Sequence, residues 1–416
     1  MLARIIFKSL WTRRFSSTLT VTSIAFSVAL LLGVERAREG ARNSFTQSIS
    51  DVDLIVGKKG GSLNLLLYTV FRLGSPTENV TYKTFQTIAH RDDITHVIPY
   101  SLGDSYRQFR VVGTDERFFE HFRYGKREPL SFSQGKGFSG IFDVVLGADV
   151  AQATAHQLND KIVLSHGDDI GNFQTHEATP FQVKGILKPT GTPADRAVYI
   201  SLYGMTAMHV GWEDGGPPKA GTVPSLTKES LQIDQVTAFF VKTKSPMATL
   251  YLQRDLNEYE DEPLMAILPG VVLSELWQSL NFIEKTLRWI SLLVVFVGLV
   301  TMLIAIYNTL NERRREIAIL RSLGASPPRI FAILVGESMT ITCAGVMMGL
   351  AFVSGATHLL GPYLKENFGL SEAYLTSSPT EWLYATSVLV IGGLLGFIPA
   401  LRAYLNSLSD GFSIRS

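Results

Sequence analysis

The 416 residues carry 38 Lys and Arg against 37 Asp and Glu, a net charge of +1, which excludes the strongly basic surface that nucleic-acid phosphates select. A hydrophobic share of 46% with 18% charged residues and a mean hydropathy of +0.17 is high for a soluble protein and low for a polytopic one, so the chain reads as part membrane and part soluble domain. With one cysteine, Cys343, in an apolar run where it serves as a small packing residue, no disulfide framework is available.

The N-terminal segment, residues 1–16, contains Arg4, Lys8, Arg13 and Arg14 and precedes an uncharged apolar run, 17–34, long enough to cross a bilayer. Basic flanks mark the cytoplasmic side. A cleaved signal peptide would share this pattern, but the exit Leu31-Leu32-Gly33-Val34-Glu35-Arg36 offers no small-x-small cleavage signature, so an uncleaved anchor is expected.

Residues 35–284 then form an extracytoplasmic domain of about 250 residues that must rely on its own core. Strand-like runs rich in Val, Ile and Phe cover 52–56, 109–112, 143–146, 161–165, 181–187, 197–201 and 236–242. Helical periodicity appears in 81–91, 148–158 and 247–259, which makes the domain α+β. Segments 40–130 and 230–270 flank a strand-rich middle, as though one subdomain were inserted into another. The Gly/Pro-rich stretch 211–224 is a surface loop. Seven of the eight histidines lie in this domain, and His166, Asp168, Asp169 and His176 form a local group of candidate metal ligands at loose spacing, with solvated or structural histidines as the simpler reading.

Leu276, Leu280, Ile283 and Leu287 fall at helical spacing and run without a breaker into a second span, 285–310, so a stalk helix is expected here, as at Glu35 to Ser48. The following cytoplasmic segment, 311–329, holds Arg313, Arg314, Arg315, Arg321 and Arg329. In it, Glu312 and Glu316 lie one turn apart with arginines at i,i+3. Ile317, Leu320 and Leu323 make an apolar ridge, and Gly324 with Pro327-Pro328 supplies a stop. Anionic lipid at the membrane surface would account for the arginines but not for the ridge. The third span is 330–360, an extracytoplasmic loop covers 361–382, the fourth span is 383–404, and 405–416 is a cytoplasmic C-terminus. Gly345-x-x-x-Gly349 and Gly392-x-x-x-Gly396 permit close helix approach within the four-helix unit or across a dimer. Glu337 and His358 are the ionisable exceptions in the third span and are expected near its two interfaces.

Motifs for catalysis are missing. The segment Gly57-Lys58-Lys59-Gly60-Gly61-Ser62 lacks the spacing of a phosphate-binding loop, and there is no H-E-x-x-H, G-x-S-x-G or C-x-x-C, so no enzymatic role and no cofactor on this chain are expected.

The string Glu312-Arg-Arg-Arg-Glu-Ile-Ala-Ile-Leu-Arg-Ser-Leu-Gly-Ala-Ser326 resembles the loop signature of FtsX/MacB-type ABC permeases. The order of one span, a large outer domain and three spans matches too. Further echoes are Val144-Val145-Leu146-Gly147 before Ala148-Asp149-Val150-Ala151, and Phe181 to Leu187 before Asp195 to Ile200, both similar to the MacB-like periplasmic core domain. The resemblance implies a type VII permease subunit of the inner membrane, acting as a dimer with a separate cytoplasmic ABC ATPase that holds ATP and Mg, and with a periplasmic partner or substrate-binding protein. Glu312, Arg313, Arg314, Arg315, Glu316, Ile317, Leu320, Arg321, Leu323 and Gly324 would be its ATPase-coupling residues, relaying motion across the bilayer by mechanotransmission. A regulator that activates an extracytoplasmic partner without transport, and a zinc-handling system, are the alternatives.

Overall fold

A computed structural model describes residues 2–166, 174–176, 179–210, 226–312, 319, 322, 325–368 and 378–409. They divide into two compact units, one centred on residues 42–280 and one built from 1–41, 281–367 and 372–416. The helices are α1 Leu2–Thr12, α2 Arg14–Gln47, α3 Ser62–Leu66, α4 Tyr82–Ala89, α5 Glu116–His121, α6 Ala148–Thr154, α7 Leu202–Ala207, α8 Pro246–Asn257, α9 Pro269–Glu312, α10 Pro327–Phe368 and α11 Pro379–Ser409.

Among the described residues, four helices, α2, α9, α10 and α11, are long and apolar enough to cross a membrane. All outrun the expected limits. At 1.5 Å per residue, the 34 residues of α2 and the 44 of α9 reach about 50 and 65 Å, against a hydrocarbon core of about 30 Å. The stop at Pro327-Pro328 is the start of α10, where proline's missing N–H falls among donors that have no intrahelical partner. The loop expected over 361–382 is shorter, since α10 runs to Phe368 and α11 begins at Pro379. Ile24, Val28 and Leu32 of α2, Val295, Leu299 and Met302 of α9, Ile341 and Val346 of α10 and Ala385 and Val388 of α11 share one core.

The glycines of the two spaced pairs are points of closest approach in that unit. A Cβ on Gly345 would lie 2.7 Å from Ile24 Cβ, and one on Gly349 2.9 Å from the Ala25 carbonyl, so α10 meets α2 backbone to backbone. Gly392 and Gly396 accept Thr342 and Ser338 of α10 in the same way. Cys343 is exposed on α10 rather than packed in the core.

The other unit is a mixed sheet, β1 Leu54–Lys58, β2 Val80–Thr81, β3 Ile94–Tyr106, β4 Phe109–Thr114, β5 Arg123–Tyr124, β6 Glu128–Pro129, β7 Phe132–Gly135, β8 Asp143–Leu146, β9 Lys161–Ile162, β10 Ser165–His166, β11 Gln174–Thr175, β12 Phe181–Leu187, β13 Ala197–Ser201, β14 Gln235–Val236, β15 Ala238–Thr243 and β16 Leu264–Ile267. The main path runs β16-β1-β15-β3-β4-β13-β8-β12-β7, while β2 with β14 and β5 with β6 form separate ribbons. Strand β3 joins two halves: its residues from Ile94 to Tyr100 pair with β15, and those from Ser101 to Tyr106 pair with β4. One half takes β1, β15 and β16 from both ends of the domain, and the other takes the middle strands. Helices α4 and α8 cover the first half, where Leu54, Val56, Phe85, Phe239, Val241 and Leu252 are buried together.

Candidate functional site

Among the described residues, each of the two units holds a cluster of buried charged side chains. In the helical unit it lies just beyond the apolar stretch of α2. The Arg36 guanidinium donates Nε to Glu381 Oε1 at 2.8 Å and Nη2 to Oε2 at 2.7 Å, and Nη1 to Thr357 Oγ1 at 3.2 Å, joining α2 to α11 and α10. Both side chains of the ion pair are buried, 7% and 1% exposed. Arg38 meets Glu35 at 2.5 Å and Glu284 of α9 at 3.5 Å, and Arg288 meets Glu35 at 3.5 Å, so α2 and α9 are tied by a second, wetter network. Glu337 is buried toward the other end of α10, beside a cavity of about 30 Å³ lined also by Arg13, Ser16, Ser17 and Thr20. Of the expected ATPase-coupling residues, Glu312 ends α9, while Arg313, Arg314, Arg315, Glu316, Ile317, Leu320, Arg321, Leu323 and Gly324 lie outside the described residues.

The second cluster is in the sheet domain, where Asp104, His176 and His209 each offer one donor atom and all three atoms fall within 4.8 Å of one another. The local chain explains each position. Between Leu102 and Ser105 the pairing of β3 with β4 slips by one residue, a bulge that Gly103 tolerates and that re-aims Asp104. Ser105 pairs with Ser165 of β10, which hangs the β10–β11 hairpin beside the bulge. His176 follows β11 directly and donates its backbone N–H to Leu164 at 2.9 Å. His209 stands in the turn after α7, a helix capped by Ser201, whose Oγ accepts the Gly204 N–H at 2.9 Å.

Asp104 Oδ2 is 3.5 Å from His176 Nε2 and 3.4 Å from His209 Nε2. Side chains of Asp104 and His176 are 3% and 0% exposed, while that of His209 is 37% exposed. Burial opposes ionisation of Asp104, yet the approach of His176 and His209 outweighs it and holds the carboxyl at about 2. For His209, burial opposes a proton, and the bond and charge of Asp104 override this and raise its pKa above the ordinary imidazole range. His209 Nδ1 lies 2.8 Å from the Met205 carbonyl, which only accepts, so Nδ1 carries the hydrogen. His209 also lines a cavity of about 450 Å³ with Gly103, Met205 and Thr206 from one half of the domain and Asn79, Asp234 and Thr237 from the other.

Of the four candidate ligands named from sequence, His176 enters this cluster. His166 is the second residue of β10, and Asp168 and Asp169 lie outside the described residues. Asp104 and His209 went unread because they are 72 and 33 residues from His176, and only the fold joins them. The one local signal was Gly103-Asp104 interrupting an apolar run.

Comparison with known proteins agrees with this architecture. The family model for the MacB-like periplasmic core domain matches residues 17–259, and that for the FtsX-like permease C-terminal matches 288–407. The chain is 24% identical over 411 residues to the pyoverdine export ATP-binding/permease protein PvdT of Pseudomonas syringae pv. tomato, covering 95% of this chain and 56% of that one. It is 20% identical over 419 residues to the macrolide export ATP-binding/permease protein MacB of Wolinella succinogenes, covering 95% and 58%. It thus spans little more than half the length of these relatives. Among solved structures, the periplasmic region of MacB from Actinobacillus actinomycetemcomitans aligns with 55% of this chain and 94% of its own at 14% identity and a TM-score of 0.35. With four membrane-spanning helices and both family domains in order, the chain belongs to the MacB-like, FtsX-type ABC transporter permeases, multi-pass inner-membrane proteins with a large periplasmic domain.

Proposed function

We propose that the chain is the permease subunit of an ABC system in which a separate cytoplasmic ATPase, holding ATP and Mg, drives a conformational change that α2 and α9 carry to the periplasmic domain. Export or extraction of an envelope substrate is the work this would do. The observation that supports it best is the pair of uninterrupted helices, each longer than a bilayer requires, tied by Glu35, Arg38, Glu284 and Arg288. Ion pairs between the two helices would couple their motion, which is what transmission over about 50 Å needs. Glu312 to Leu323 would enter a groove on the ATPase, Ile317, Leu320 and Leu323 supplying the apolar contact and the arginines its rim. Two copies would face two ATPases.

The test is ATP hydrolysis by the cognate ATPase, co-reconstituted with the full chain in lipid. Leu320→Asp and Leu323→Asp should abolish stimulation while the protein stays folded and inserted. Unchanged stimulation would overturn the coupling role. Retained stimulation in a wild-type complex that moves no cargo would favour activation of an extracytoplasmic partner instead.

A further inference from the structure

We propose that Asp104, His176 and His209 bind one divalent first-row transition-metal ion, with Zn2+ the best fit, through a carboxylate oxygen and two imidazole nitrogens, leaving a fourth position toward the cavity of the periplasmic domain.

The distances carry this assignment. Atoms that share a tetrahedral zinc, each about 2.0 to 2.2 Å from it, stand about 3.3 to 3.5 Å from one another. Asp104 Oδ2 meets both imidazole Nε2 atoms at such separations, 3.5 and 3.4 Å. The direct N–H···O bond that a protonated imidazole makes to Asp104 is ordinarily shorter, with a mode of about 2.9 Å, so these separations are long for a proton and suited to a metal. The remaining edge, between the two imidazoles, is at most 4.8 Å. His209, 37% exposed, is the ligand with the most room to shorten that edge.

The hydrogen-bond chemistry of His209 points the same way. Its Nδ1–H is committed to the Met205 carbonyl at 2.8 Å, so in the neutral ring the lone pair is on Nε2, the atom that faces Asp104. A ligating histidine ordinarily donates its other ring N–H to a backbone carbonyl or a carboxylate, fixing both tautomer and ring plane. A neutral Nε2 and a carboxylate oxygen are both acceptors, so their approach needs a cation between them, and a metal ion competes with the proton for that place. Two imidazoles and one carboxylate suit zinc and its neighbours over Mg2+ or Ca2+, which prefer oxygen. Three protein ligands leave a coordination position for water or a ligand group. Here the half-exposed ligand, His209, borders the cavity between the two halves of the domain. An ion on Asp104 would also tie the β3 bulge to the β10–β11 hairpin and the end of α7.

The full-length protein in detergent, stripped with a chelator, is titrated with Zn2+ against a chromophoric competitor and with Co2+ as a spectroscopic probe. One equivalent should bind, cobalt should show the intense visible bands of a tetrahedral site, and zinc should raise the melting temperature through linkage. His209→Ala, the variant least disturbing to the core, should keep the metal-free melting temperature and weaken binding at least about tenfold, as loss of even an outer-shell partner does. His90→Ala, an exposed histidine whose ring meets the Gln86 carbonyl of α4, should bind as wild type does. X-ray absorption of the zinc-loaded wild type, which needs no variant, should show two imidazoles and oxygen in the first shell. Absence of a stoichiometric equivalent, undiminished affinity in His209→Ala, or an all-oxygen shell would each overturn the proposal. None of these results bears on ATPase coupling, which is measured separately.

Discussion

Both units of this protein bury a carboxylate against nitrogen bases, and they close the geometry differently. In the helical unit Glu381 receives the Arg36 fork through two bonds of 2.7 and 2.8 Å. That pair is complete, since each carboxylate oxygen has its donor and nothing else fits between the groups. In the sheet domain Asp104 meets two imidazoles at 3.4 and 3.5 Å, from loops rather than long helices. Arginine cannot give up its proton, so the first arrangement is a permanent fastening of three helices. Histidine can exchange its proton for a metal, so the second is able to respond to its surroundings.

The largest effect expected from breaking this contrast is at Glu381. Glu381→Ala strands the buried Arg36 charge, and loss of one partner of a buried pair costs about 3 to 5 kcal/mol. It should appear as a marked drop in melting temperature in detergent. The double replacement Arg36→Met with Glu381→Leu should recover most of the loss, because two apolar groups need no compensation. A single variant as stable as wild type would show that water reaches the pair.

Next come the glycines. Gly345→Ala places a methyl 2.7 Å from Ile24 Cβ, and Gly392→Ala places one 2.6 Å from Thr342 Cγ2, so each should cost about 1 to 3 kcal/mol by overpacking. Gly355→Ala meets nothing within 4 Å and should be neutral or gain about 0.4 to 1 kcal/mol from a less flexible unfolded chain. Equal responses at the three positions, followed by thermal unfolding, would mean that the close helix approach is not fixed in the protein.

A pH-dependent effect belongs to the sheet domain. His96 stacks on His121 with ring centroids 4.3 Å apart. Burial and then the His121 charge depress its pKa from 6.5 to about 4. The unfolded chain therefore binds a proton that the folded one refuses between those values. Stability should be full above pH 6.5 and should fall as pH drops toward about 4. His96→Gln should flatten that decline in urea unfolding of the full chain, and an unaltered slope would remove His96 as its source.

The membrane half was legible because bilayer thickness dictates long apolar runs and loop charge dictates their direction. Strands were legible too: Ala197–Ser201 is an apolar run buried on both faces, and Phe181–Leu187 opens on an alternation in which Phe181 and Val183 are buried while Gln182 and Lys184 are half-exposed. The longest strand, Ile94–Tyr106, escaped notice because His96, Pro99, Ser101, Gly103, Asp104 and Ser105 break its apolar pattern. Those same interruptions make the bulge, so the residue hardest to assign to a strand is the one that faces His176 and His209. Glu381 was passed over because its burial depends on Arg36, 345 residues away.

The smallest effect is expected at Arg254 and Glu258, an i,i+4 pair at the end of α8 whose side chains are 75% and 67% exposed and whose Nε–Oε1 distance is 3.3 Å. Water screens such a pair to about 0.3 to 0.5 kcal/mol. The order here, arginine before glutamate, is the weaker of the two. Glu258 also sits at the C-terminal end of the helix, where the macrodipole disfavours an acid. These terms oppose one another, so Glu258→Ala should change stability by less than about 0.5 kcal/mol and should narrow the difference between low and high salt. A loss like that of Glu381→Ala would contradict the premise of the comparison. The two pairs hold the same kinds of group, at 2.7 to 2.8 Å in the buried one and 3.3 Å in the exposed one, and what chiefly separates them is whether water can replace the partner that is removed.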